Sequence, residues 1–416
     1  MERIEADLLL PGDGAPVRDG VVVLDGETIT YAGPAAKAPD TGGASTVRAP
    51  VVMPGMWDCH THFLGSRVLD LNTLPLQPAP LRAARTTADA RAALDAGVTS
   101  VREVGGLGIH LARAVDEGSI AGPHIYAAGA VLSATGGHAD LHAFPAEWVA
   151  DFGHRGGELR VCDGPSDCAR AAREQLRLNA KVIKVCASGG VLTEVDDPHH
   201  QLFTAQELRT IVETAALSQR AVAAHCHGKA GIMAALEAGA LTIEHGTYLD
   251  AECCVAMKEM GAILVPTRLV VEALRHHDSI PDYARTKIRY VAEQHRESVS
   301  LAHEYGITIA MGTDIALTCG TGEECSWGHH GQELAHMVEA GLSPLEAIRS
   351  ATAHGPLTLG PQAPRSGKLE TGHDADVITL DADPLADIGV LGDPRRVTEV
   401  WSRGRRMKGR GAETSG

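Results

Sequence analysis

Apolar and polar positions along this chain follow two rhythms. Over the first fifty residues short apolar runs alternate with turn residues, as in Ala6-Asp7-Leu8-Leu9-Leu10, then Pro11-Gly12-Asp13-Gly14, then Gly20-Val21-Val22-Val23-Leu24-Asp25-Gly26. Such runs, bounded by Gly, Pro and Asp, predict short antiparallel strands. The pattern returns at Ser366-Gly367-Lys368-Leu369, over 375–380 and over 397–401. The two ends are therefore expected to build one small β-sandwich domain together, from residues 1–53 and 356–416.

Between the ends the chain repeats a β-rich run, a loop and an amphipathic helical stretch, the signature of parallel strands joined by crossover helices. Candidate strands lie at 51–57, 100–104, 124–130, 182–186, 221–224, 241–244, 263–266 and 307–311. Eight such units predict an α/β fold, a closed (β/α)8 TIM-like barrel over 54–355. One segment, 133–165, breaks the rhythm with glycine, histidine and the aromatics Phe144, Trp148 and Phe152. Leaving a barrel strand at its C-terminal end, it is expected to form a lid or, equally, a structureless surface insertion.

Composition narrows the function. A length of 416 residues fits a barrel with an accessory unit. A formal charge of −16 and 3% aromatics argue against nucleic acid as a partner. No stretch is apolar enough for a membrane span and the start lacks a secretory pattern, so a cytoplasmic location and no membrane partner are expected. Nine cysteines without disulfide or zinc-ribbon spacing are expected to be reduced thiols.

The chemistry-bearing residues gather at strand ends, where barrel active sites are built. His60 and His62, in Trp57-Asp58-Cys59-His60-Thr61-His62, alternate along an extended chain and so aim both rings to one side, as half of a metal site. Alone, the pair also fits two solvated loop histidines, the lesser of the two readings. His225 and His227 end the fifth candidate strand, His245 the sixth and Asp314 the eighth. Asp314 there would ligate a metal or move a proton, or else cap the next helix. Lys184 lies within the apolar run Val182-Ile183-Lys184-Val185-Cys186. A buried ammonium is costly and cannot bind a metal, whereas the carbamate formed by carbon dioxide on the neutral amine can bridge two cations. The alternative is a lysine that snorkels outward. Arg268, after the seventh strand, is a candidate cation for a substrate carboxylate. The pairs His199-His200 and His329-His330 are read as solvated. Phosphate-loop and Gly-X-Ser-X-Gly patterns are absent from the sequence.

On the motifs Pro54-Gly55-Met56-Trp57-Asp58-Cys59-His60-Thr61-His62, Ile183-Lys184-Val185-Cys186-Ala187-Ser188-Gly189-Gly190-Val191, His225-Cys226-His227-Gly228, Ile243-Glu244-His245-Gly246 and Gly312-Thr313-Asp314, the chain resembles the amidohydrolase superfamily. Within it, the likeness is to the imidazolonepropionase-like group with its metal-dependent prolidases and ochratoxin-type amidases. The resemblance implies two divalent metal ions, zinc foremost, bridged by N6-carboxylated Lys184. One ion would be held by His60, His62 and Asp314, the other by His225 and His245. It also implies that His227, His138 and Tyr248 face the substrate, His227 polarising the scissile carbonyl while Asp314 shuttles the proton. The expected reaction is hydrolysis of a C–N amide bond by a hydroxide between the ions. The substrate would be a small-molecule amide, an N-acyl amino acid or Xaa-Pro-type dipeptide, and the enzyme a homo-oligomer. A deaminase, a cyclic-amide or lactone hydrolase, or a non-catalytic scaffold barrel remain alternatives.

Overall fold

The computed structural model describes residues 1–277 and 280–409; the last part of the expected C-terminal unit, 410–416, lies outside the described residues. Both ends of the chain share one seven-stranded sheet, in the order Arg405–Lys408, Val397–Ser402, Val377–Leu380, Ser45–Pro54, Glu2–Leu9, Val17–Asp25, Thr28–Pro34. The sequence pattern predicted a sandwich here; these strands hydrogen-bond as a single sheet. Neighbours run antiparallel except Glu2–Leu9 against Ser45–Pro54. Side chains alternate between faces with the period of a strand. Leu8, Val51, Met53 and Ile378 enter the main core, while Ile4, Leu9, Val52 and Trp401 form a second cluster on the opposite face.

The central strands form two further sheets in which every recorded pairing is parallel. One runs Ile263–Val265, Thr242–His245, Ala221–Cys226, Val182–Cys186, Val131–Ser133, Leu159–Val161, and the other Ile315–Leu317, Met56–Ser66, Val98–Glu103, His124–Ala127. Backbone hydrogen bonds join the two at two places: Lys181 N donates to Ala127 O at 2.8 Å, and Leu264 N to Thr308 O at 2.9 Å. Cys59 N in turn donates to Met311 O at 2.8 Å.

Three predicted strands change shape. The run 51–57 is two strands with Gly55 as the corner, because Val51–Pro54 belong to the terminal sheet and Met56 starts the central one. A Cβ at Gly55 would stand 2.1 Å from Thr99 Oγ1, so only glycine lets the chain pass between the sheets. The central strand then runs on through His60 and His62 to Ser66, where the sequence pattern placed both histidines beyond the strand end. The run 124–130 breaks at Gly129 (φ 80°) into His124–Ala127 and Val131–Ser133. The eighth, 307–311, is held by two backbone hydrogen bonds to Leu264 on one side and one from Cys59 on the other, with a single bridge from Ile309 to Leu264 and the strand itself beyond it at Ile315–Leu317.

Crossover helices cover the outside. In Gly164–Arg177 the buried side chains Cys168, Ala171, Ala172 and Gln175 fall on one helical stripe. Helix Ala205–Ala216 starts on a Thr204/Glu207 capping box. The 133–165 segment is packed rather than structureless, carrying helix Ala146–His154 and strand Leu159–Val161. All nine cysteines are free thiols.

Candidate metal centre and substrate cavity

The strand ends bring His60, His62, Lys184, His225, His227, His245 and Asp314 around one cavity of about 150 Å³. His62 Nε2 lies 3.0 Å from Asp314 Oδ1, and His60 Nε2 lies 3.5 Å from the same oxygen. The far nitrogen of each ring is committed: His60 Nδ1 donates to Glu244 Oε2 at 2.7 Å and His62 Nδ1 to the Gly105 carbonyl at 2.7 Å. Both Nε2 atoms are therefore lone pairs facing a carboxylate oxygen. Three electron-pair donors converging this closely repel one another unless a cation sits among them. A divalent metal fits that donor set of two imidazoles and one carboxylate.

A second group, His225, His227 and His245, brings its ligand atoms within 4.8 Å of one another. His227 stands in this group geometrically, although the family pattern gave it to the substrate. Lys184 lies between the two groups, with Nζ 3.2 Å from His60 Nε2. Burial lowers the Lys184 pKa, favouring the uncharged amine. Burial likewise holds His60 near 4 and His227 near 3, so both rings are neutral at physiological pH. For Asp314 burial pushes the carboxyl upward, but His60, His62 and Lys184 outweigh it and hold the group at about 2.

Backbone strain accompanies these positions. His245 and Asp314 adopt left-handed φ of 69° and 59°, as does Thr267 at 57°. Non-glycine residues hold this conformation at a cost of about 1–3 kcal/mol each, which the surrounding hydrogen bonds must sustain. Asp314 N donates to His60 O at 2.7 Å, and His245 Nδ1 is hydrogen-bonded to Thr267 Oγ1 at 2.7 Å.

Of the substrate contacts expected from sequence, His138 lines the cavity, its ring stacked 4.5 Å from His225 and its Nδ1 bonded to Thr193 Oγ1 at 2.6 Å. Gly190 permits this, since a Cβ there would meet the His138 ring at 2.0 Å. Tyr248 does not line the cavity; the chain turns after His245, and its ring packs 4.1 Å from His199 in a separate surface pocket. Arg268 also stays out of the cavity. The left-handed turn at Thr267 sends it into the helix interface, where it pairs with Glu272 and donates to Ala292 O at 3.3 Å. Apart from Glu158 the remaining cavity wall is mainly apolar, with Leu64, Leu159, Leu192, Val270, Val271 and Ile288 among its residues.

Sequence reasoning passed over a ring of buried charges beneath the ligands. Arg102 Nη2 donates to Glu244 Oε1 at 2.7 Å, and burial, which would raise the Glu244 pKa, is outweighed chiefly by Arg102 and His60 so that the carboxylate stays ionised. Asp58 accepts from Thr313 Oγ1 at 2.6 Å and from the backbone N of His60 and Thr313 at 3.1 Å. It thus ties the His60 strand to the Asp314 turn. His330, read as solvated, is fully buried with Nδ1 2.7 Å from Asp58 Oδ2. Glu333 accepts from Arg268 N and Leu269 N at 2.9 and 2.6 Å and so caps helix Arg268–His276. The signal for Asp58, Arg102 and Glu244 was the one used for Lys184, a charge within an apolar strand.

Comparison with known proteins agrees with this architecture. The chain is 42% identical over 425 residues to the ochratoxinase of Aspergillus niger, covering 98% of this chain and 87% of that protein. The crystal structure of A. niger ochratoxinase superposes with a TM-score of 0.92 at 41% identity, covering 99% of this chain and 96% of that one. A prolidase crystallised with N-methylphosphonate-L-proline superposes with a TM-score of 0.89 at 32% identity, covering 98% of this chain and all of that one (100%). Residues 51–407 match the Amidohydrolase family, and the chain belongs to this family of hydrolases.

Proposed function

We propose that the protein is a dinuclear metal-dependent amidase or dipeptidase that hydrolyses the C–N bond of an N-acyl amino acid or Xaa-Pro-type dipeptide. The observation that carries this reading is the convergence of His60 Nε2, His62 Nε2 and Asp314 Oδ1 beside a buried lysine. Related proteins named ochratoxinase and prolidase support an amide as substrate. Hydrogen bonds between the two central sheets at two places support a closed (β/α)8 barrel whose mouth holds the site.

His60, His62 and Asp314 would hold one ion and His225 and His245 the other, with the carbamate of Lys184 reaching both. When bound, divalent ions supply Lewis-acid activation of water and of the scissile carbonyl. The ligand set suits zinc. Lys184 Nζ, whose burial favours the uncharged amine, adds to carbon dioxide and releases one proton as it becomes the carbamate. His227 Nδ1 is hydrogen-bonded to Thr247 Oγ1 at 2.8 Å, which holds the ring, and with its proton on Nε2 the ring would polarise the substrate carbonyl oxygen. Asp314, ionised at neutral pH, takes the proton of the attacking water at Oδ and delivers it to the leaving nitrogen. The apolar wall excludes bulk water and accepts bulky apolar groups on the substrate.

The test is release of free amine from N-acyl amino acids and Xaa-Pro dipeptides by the metal-loaded protein, with Asp314→Asn alongside. A loss of about 10²–10⁴-fold in the variant is expected from removal of a proton-transferring group. Equal amine release by both proteins overturns the reading, as does turnover of lactones alone.

A further inference from the structure

The two ligand groups are braced by different elements. Behind the second, helix Asp282–Glu304 reaches the backbone: His295 Nε2 donates to His245 O at 2.9 Å, and Ser298 Oγ donates to the carbonyl of Thr247, whose hydroxyl is bonded to His227 Nδ1. Behind the first stands the segment 326–330, beyond strand Ile315–Leu317. Trp327 Nε1 donates to His62 O at 3.3 Å, and its ring stacks on Phe63 with centroids 4.0 Å apart. Three residues on, His330 Nδ1 lies 2.7 Å from Asp58 Oδ2, both side chains fully buried. The Trp327 and His330 rings meet edge to face at 5.1 Å. The segment thus grips strand Met56–Ser66 on either side of His60, at Asp58 before it and at His62 after it.

Asp58 is the joint of the first group. Its Oδ1 accepts from His60 N and Thr313 N, each at 3.1 Å, and its Oδ2 from Thr313 Oγ1 at 2.6 Å. The Thr313 hydroxyl itself accepts from Ile315 N at 3.2 Å, which leaves its proton for the carboxylate. His330 supplies the fourth donor, so its Nδ1 carries a proton. The Asp314 turn, left-handed at φ 59°, hangs from this joint through Thr313 and from His60 O through its own N–H. His330 Nε2, by contrast, is buried without a hydrogen-bond partner among the described residues. That unmade bond costs free energy which an apolar side chain of similar size would avoid, so what the imidazole contributes here is the proton on Nδ1. The next residue holds the ring in place. A Cβ at Gly331 would stand 1.9 Å from Leu391 O, and only glycine lets the chain pass this close to the C-terminal segment.

We propose that His330 is a positioning residue for the first ligand group: by donating Nδ1–H to Asp58 it keeps the Asp314 carboxylate in register with His60 and His62, while the second group is held separately by helix Asp282–Glu304. The proposal rests on the two-ion reading of the site.

Two amide substitutions separate position from packing. In His330→Asn the side-chain nitrogen is bonded to Cγ, as imidazole Nδ1 is. In His330→Gln it lies one bond further out, near the Nε2 position, and the larger side chain fills more of the space. Zinc binding to the full-length protein in the presence of bicarbonate is measured by competition with a chelator, and amine release from an N-acyl amino acid is followed in parallel. His330→Gln is expected to weaken one of the two zinc-binding steps by about 10–100-fold and to leave the other within about twofold of wild type. Its kcat should fall while KM stays within about twofold, because a displaced proton-transferring group costs turnover rather than ground-state binding. His330→Asn should recover most of both losses. If circular dichroism shows that His330→Gln does not fold, His330→Leu takes its place, since it likewise leaves Asp58 without this donor. A His330→Gln protein that binds zinc as well as His330→Asn overturns the proposal in favour of simple packing. Equal losses in both binding steps overturn it too, as does a lower melting temperature with zinc affinity unchanged. Zinc affinity requires no substrate, so wild-type protein that binds two equivalents and releases no amine refutes the amidase reading and leaves the role of His330 standing. Wild-type protein that binds no zinc removes both.

Discussion

His60 Nδ1 donates to Glu244 Oε2 at 2.7 Å, with both side chains at most 1% exposed, and Glu244 is in turn clamped by Arg102. This fixes which nitrogen of His60 faces the cavity before any ligand arrives, because the carboxylate accepts only from a protonated Nδ1. Glu244→Gln keeps the shape and removes the charge. Metal affinity, measured by competition with a chelator, is expected to fall by about 10–100-fold, as for other buried partners of ligating histidines. The melting temperature should drop as well, since Arg102 is left buried without its counter-charge. Unchanged affinity in a folded variant would show that Glu244 does not orient His60.

Lys184 is poised between the two ligand groups, so its removal should change stoichiometry before anything else. Lys184→Ala is expected to bind fewer than two equivalents of metal by elemental analysis and to lose amine release, while circular dichroism stays native. Retention of two equivalents with full turnover would sink the bridging role. Stripping metal and carbon dioxide together, then restoring metal alone, should leave wild-type protein inactive until bicarbonate is added.

Glu103, at the end of strand Val98–Glu103, is buried and its pKa is pushed from 4.5 to about 8, with one long contact of 3.4 Å to Gly108 N and Oε2 without a hydrogen-bond partner among the described residues. Between those two pH values the folded chain keeps a proton that the unfolded chain has released. Stability from this group is therefore complete below about pH 4.5, declines as pH rises toward about 8 and is flat above it. Glu103→Gln should remove up to about 1.4 kcal/mol per pH unit of that slope. Denaturant melts at several pH values read it directly, and identical slopes for the two proteins would contradict the protonated state.

Arg268 sits in the helix interface with Glu272 and Ala292 O. Arg268→Met is expected to leave KM for a carboxylate-bearing substrate within about twofold, since it removes no ground-state contact. Stability should fall by about 1 kcal/mol from the buried Ala292 carbonyl left without its donor, while Glu272 keeps its pair with Arg275. A large rise in KM would place Arg268 back at the substrate.

Local pattern determined a good deal of this protein. Alternation at the two ends marked the terminal strands, and the repeat of apolar run and amphipathic helix marked the parallel centre. A charge or imidazole closing an apolar run marked His60, His62, Lys184, His225, His245 and Asp314, because burying such a group is too costly without a partner. Only tertiary structure decided where those partners lie. Glu244 reaches His60 from 184 positions away, and Asp58 joins Thr313 and His330 from 255 and 272 positions away; sequence periodicity carries no information on pairings of that span. The fates of Tyr248 and Arg268 turned on single backbone rotations after His245 and at Thr267. A left-handed φ at a non-glycine residue is selected by surrounding contacts against local preference, so the facing of the side chains beyond it cannot be read from the residues themselves.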